Sequence, residues 1–156
     1  MYHYDRVLLH VHVYVRAITL WYTSLMTRTP EERNMKTDEA IDYDQYLDIK
    51  EALIGRTVTD IDTTTKVITL DNGATLLFED TGSCCAWYDV ELKAGNFREN
   101  VITHVRYTDN SKTSEYEADV TITVLSKNEK IVDINAHGDE GTGYYMHTID
   151  IDIFTP

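Results

Sequence analysis

Cysteine, proline and glycine are all scarce in this chain of 156 residues, which holds two Cys, two Pro and seven Gly. Two cysteines cannot build a disulfide framework, and so little Pro and Gly excludes a linker-like or low-complexity protein. Positive charge is short as well: 14 Lys and Arg face 27 Asp and Glu, for a net charge of −13. Nucleic-acid binding and docking on anionic membranes both depend on Lys and Arg, so neither is expected. No run approaches 18 uncharged apolar residues, the length that spans a bilayer. The Gly-x-Ser-x-Gly, His-Glu-x-x-His, dinucleotide-binding and kinase signatures are missing too. These absences predict a non-enzymatic protein, with no catalytic residues, metal or cofactor. What is present is enough apolar sequence, in a chain long enough, to bury a core without staples.

The charge is unevenly spread. Residues 1–36 carry five bases and three acids, whereas the remaining 120 carry nine bases and 24 acids, a net −15. The chain therefore reads as an N-terminal arm, 1–36, followed by a single α+β domain, 37–156. Within the arm, residues 7–17 alternate Leu9, Val11, Val13, Val15 and Ala17 against His10, His12, Tyr14 and Arg16, the period of a half-buried strand. His10 and His12 share a face, but two ligands do not make a metal site. Charged residues interrupt the arm too often for a secretory signal. Met26 and Met35 leave open an over-long start, in which case residues 1–34 are dispensable and a chain from Met35 melts like the whole.

Thr37-Asp38-Glu39 offers a helix cap with acids behind it, and Gly55 offers a stop, so a helix is expected over about 37–54. Beyond it the period becomes two. Strands are expected at 57–62, 66–70, 74–79, 86–92, 101–107, 116–124, 130–136 and 145–154, with Asp71-Asn72-Gly73 as a tight hairpin turn. The fold class is then α+β: one helix packed on a mainly antiparallel sheet, or an open small barrel, of seven to eight strands.

Several runs belong together. Leu53-Ile54-Gly55-Arg56-Thr57-Val58, Leu70-Asp71-Asn72-Gly73, Cys84-Cys85-Ala86-Trp87-Tyr88, Asn128-Glu129-Lys130-Ile131 and the segment from Gly138 to Tyr145 carry a recurring pattern. Over residues 53–153 the chain resembles a family of small uncharacterised proteins encoded by bacteriophages of actinobacteria. That resemblance implies a phage origin and the cytoplasm of the infected bacterial host as the compartment. It implies no particular activity.

The candidate binding residues are Cys84, Cys85, Trp87 and Tyr88, with Asp139, Gly141, Gly143, Tyr144 and Tyr145. Aromatic side chains supply rigid apolar contact area with a polar tip, and glycines permit close approach. On a regular strand Cys84 and Cys85 would point to opposite faces and could not chelate one ion. Asp139 and Glu140 would repel a phosphate, so the glycine segment is no P-loop. The expected role is to bind and modulate a host protein with a basic surface, as an anti-defence or other accessory factor. Three alternatives stay open. One is a sponge for a nucleotide-like small molecule. Another is a weak enzyme pairing Cys84 or Cys85 with His104, His137 or His147. The last is a minor virion component.

Overall fold

The computed structural model describes residues 40–83, 85–111, 117–127, 129–139 and 148–156. The alternating segment 7–17 and the Thr37 cap lie outside them. One helix and nine strands are described: α1 (Tyr43–Leu53), β1 (Val58–Asp62), β2 (Val67–Leu70), β3 (Thr75–Glu79), β4 (Thr81–Gly82), β5 (Trp87–Ala94), β6 (His104–Asp109), β7 (Glu117–Ser126), β8 (Glu129–Asp139) and β9 (Asp150–Phe154).

The helix starts later than the expected 37, because Asp42 caps it. Its carboxylate accepts the Gln45 N–H at 2.8 Å, while the Gln45 side-chain oxygen accepts the Asp42 N–H at 3.1 Å. This reciprocal box satisfies two donors that the first turn otherwise leaves without partners. Tyr46, Ile49 and Leu53 then form the buried stripe, at helical spacing. Lys50 interrupts the apolar pattern in sequence but not in space: its Nζ stands 5.6 Å from the centre of the Tyr46 ring. Gly55, at φ +79°, ends the helix as expected.

The strands form two antiparallel sheets. One runs β1-β2-β3-β9 and the other β4-β5-β8-β7-β6. The α+β class, one helix with antiparallel strands, holds, with strands dominating, whereas the expected sheet or open small barrel of seven to eight strands is, among the described residues, two sheets of four and five strands not closed into a barrel. Alternation locates strands but says nothing of their partners, and β4, with two residues, is too short to alternate at all. Strand boundaries also move, two of them for plain reasons. Val101 makes only an isolated bridge to Thr57, and Ile102 exchanges backbone bonds with Gly55 and Arg56 (2.9 and 2.8 Å), so β6 begins at His104. β8 runs on to Asp139 because Gly138 pairs with both Tyr88 and Ala118. The β2–β3 connection is a four-residue loop in which Gly73 alone takes positive φ and Asn72 accepts the Ala74 N–H at 3.1 Å.

Each sheet buries one face. Ile68, Leu70, Leu76 and Phe78 do so in the first, and Tyr88, Val90, Leu92, Ile122, Val124 and Ile134 in the second. Full burial of a side chain of this kind stabilises by roughly 1.5–3 kcal/mol. Tyr46 joins α1 to the second sheet by donating to the Val105 carbonyl (3.2 Å) and meeting Tyr107 edge-on. Gln45 joins it to the first by donating to the Ile149 carbonyl (2.7 Å) just before β9. Asp80, where the chain crosses between sheets, accepts the Val90 N–H at 2.8 Å and forms an ion pair with Lys66.

Candidate functional site

Because β5, β7 and residues 132–139 of β8 alternate, the face opposite their buried residues collects the polar ones, and the register sets them in rows. Trp87, Asp139 and Glu117 make the first row, and Asp89, His137 and Asp119 the second. Glu91, Asn135 and Thr121 make the third, and Lys93, Asp133 and Thr123 the fourth, with Arg106 of β6 beside Thr123. Six carboxylates in these rows stand against Lys93 and Arg106, with Lys130 reaching in to Asp133 (2.6 Å).

Hydrogen bonds fix the centre of this face. Asn110 donates to the Thr121 hydroxyl (2.9 Å), which donates in turn to the Asn135 side-chain oxygen (3.0 Å). Thr123 donates to Asp133 at 2.9 Å. The relay orients Asn135 with its oxygen toward β7, and its amide nitrogen is buried with no hydrogen-bond partner among the described residues. A buried donor left in that state costs stability that an incoming acceptor would recover. His137 holds its Nδ1 3.2 Å from the Ala118 carbonyl oxygen, which can only accept. The proton therefore sits on Nδ1, leaving Nε2 as acceptor in the neutral ring or as a second donor in the cation. The ring meets Trp87 edge-on, with centroids 5.4 Å apart, and Trp87 is itself 46% exposed. Such a face offers acceptors, two cations and an aromatic plate on a rigid support. That is the chemistry of non-covalent recognition.

The two segments singled out in the sequence do meet, since Trp87 is directly opposite Asp139. Tyr88 goes the other way: it is 1% exposed and lies in the core, over Gly138. Gly138 belongs to β8 rather than to a loop. Its need is for space, because an added Cβ would fall 2.6 Å from the Tyr88 Cε1 and closer still to other Tyr88 and Trp87 atoms. Cys85 is exposed in the loop between β4 and β5, whose ends are joined by the Ser83 N–H and the Ala86 carbonyl (2.8 Å). The expected strand geometry for the cysteine pair therefore fails at Cys85. Cys84, Gly141, Gly143, Tyr144 and Tyr145, like His147, lie outside the described residues. His104 stands opposite Leu125, at the far end of the sheet from His137. Among the described residues no group of three His, Cys, Asp or Glu side chains could hold a metal ion. No described helix is long and apolar enough to cross a membrane.

Sequence reasoning missed Asn135, and it weighed His137 only as a base for a cysteine. The signal was there in the alternation of Asp133, Asn135 and His137, had the strand been carried past Ala136. It also missed a second concavity, a groove of about 490 Å³ between α1 and β9, with Ala52, Ile151 and Ile153 among its apolar walls and Asp48, Glu51 and Arg56 on its rim.

A family model described as a domain of unknown function, DUF7448, matches residues 51–151, from the last turn of α1 into β9. No curated protein and no solved structure matches the chain.

Proposed function

This chain belongs to the DUF7448 family, a domain of unknown function, and from that premise we propose that it is a binding protein that takes a basic surface of a partner protein onto the polar face of its five-stranded sheet. The observation that carries this reading is the register: six carboxylates in four rows share one face with the exposed Trp87, all on one hydrogen-bonded support. Acidic rows steer a basic partner toward the face, and a half-exposed Trp anchors it. The resemblance to small phage-encoded proteins supports a host protein as that partner, met in the cytoplasm of the infected cell, with an accessory or anti-defence role. The same rows disfavour a polyanionic nucleotide, since six carboxylates would repel its phosphates.

The test uses a partner captured from host lysate and then purified. Trp87→Ala is expected to weaken binding by roughly 2 kcal/mol or more, as hot-spot aromatics do, while the melting temperature stays within about 2 °C. Association is expected to slow as ionic strength rises. Binding that ignores both Trp87→Ala and salt would overturn the proposal.

A further inference from the structure

We propose that the outer edge of β9 is a strand-addition site for an extended segment that alternates basic and aliphatic residues, independent of the polar sheet face. β9 is the last strand of its sheet among the described residues. Just before it, Ile149 directs both backbone groups away from β3: its N–H donates to the Ala40 carbonyl (3.0 Å), and its C=O accepts from Gln45 (2.7 Å). Extended chain repeats its hydrogen-bonding direction every second residue. The N–H and C=O groups of Ile151 and Ile153 therefore face the same outward side, where no described backbone bonds them. Ala40 occupies the first place in that lane. The chain then turns into α1, so among the described residues nothing else pairs along the lane beside β9, which borders the groove.

The side chains define the occupant. Ile151 and Ile153 pair with Phe78 and Leu76, so they lie on the buried face of the sheet, yet both stay half-exposed where they meet the groove. An added strand would place alternate residues on that face, against Ile151, Ile153 and Ala52, and aliphatic side chains fit such walls. Its other residues would fall beside Asp150 and Asp152. Asp150 already stands directly opposite Glu79, a like-charge pair that a cation would relieve. A second copy of this chain is a poor occupant, because a two-fold pairing of β9 centred on Asp152 sets that residue against itself. Arg56, which joins Thr155 in lining the groove, discourages a basic residue there and limits the match to the span of β9.

The probe is a seven-residue peptide of alternating Lys and Val, acetylated and amidated, titrated against the full chain by calorimetry. Saturable binding is expected. It should be lost when Lys is replaced by Glu, and weakened at least tenfold when alternate residues are N-methylated along one edge, which removes strand donors without changing charge. Ala52→Trp, which fills the groove, and the exposed pair Asp150→Lys with Asp152→Lys should each weaken binding at least tenfold. Trp87→Ala should leave it unchanged. Binding indifferent to N-methylation, or to both the groove and the aspartate variants, would overturn the proposal, as would sedimentation showing a β9-dependent dimer. A sheet-face partner that still binds Ala52→Trp separates the fate of this inference from that of the proposed function.

Discussion

Tyr88 and Gly138 act as one packing unit, and the structure assigns its cost. Gly138→Ala would drive a methyl group into both the Tyr88 ring and the Trp87 carbonyl, so trimming Tyr88 relieves only half of the conflict. The expected loss is about 3 kcal/mol, at the upper end for overpacking, and adding Tyr88→Ala should relieve the clash only in part, measured by urea unfolding as a coupling between the two changes. Asp80 is a residue of a different kind. Burial, the largest single influence, pushes its carboxyl up, but the bond from Lys66, the Val90 N–H and the Lys66 charge together hold it below the ordinary value. Asp62 is also lowered, chiefly by the Thr65 N–H and then by the Thr65 hydroxyl and Thr64 N–H. A depressed carboxyl stabilises the fold while it is ionised and stops doing so as pH falls through its folded value. Melting curves of the protein and of Asp80→Asn should therefore differ at pH 7 and converge below about pH 4, where unfolded carboxyls take up protons. A gap that persists at pH 2.5 would mean that the Asp80 charge is not what holds the crossover.

At the scale of elements, the helix shows how a local rule decides a boundary that periodicity leaves vague. Asp42→Ala should cost about 1 kcal/mol in urea unfolding, the usual worth of a cap. Gln45→Ala should cost more, since Gln45 also holds Thr148 and Ile149. A Gln45→Ala loss no larger than that of Asp42→Ala would show that the tether to β9 contributes nothing. The period-two runs were legible in sequence because each strand of the second sheet buries one face only, as in Ala118, Val120, Ile122 and Val124. The turn at Asn72-Gly73 was legible for its chemistry. Pairing was not, because the same alternation fits any neighbour. The inward course of Tyr88 was legible as well, since it alternates with Ala86, Val90 and Leu92 against Trp87, Asp89 and Glu91, and its aromatic type alone made it a candidate for binding. The site was half legible on the same grounds: Trp87 and Asp139 announce themselves by type, whereas Asn135 matters through a missing partner that no sequence pattern displays.

For the whole molecule, the described residues include two acidic surfaces of different design. One is a broad face where carboxylates lie in rows. The other is a narrow edge where two aspartates flank open backbone. The chain's route sets the order in which they arise. Strands β4 to β8 form one unbroken stretch within the second sheet, whereas the first sheet takes β1, β2 and β3 early and waits for β9 at the end. Thr75 pairs with Phe154, so that contact spans about half the chain, and contacts of such separation form late. During synthesis the residues of the five-stranded sheet leave the ribosome before those of β9. A nascent chain halted before Asp150 would carry every residue of the acidic rows and none of the strand that walls the groove. Every residue of the acidic rows is thus made before any residue of β9, and the groove gains its β9 wall only after the broad face has its full set of side chains.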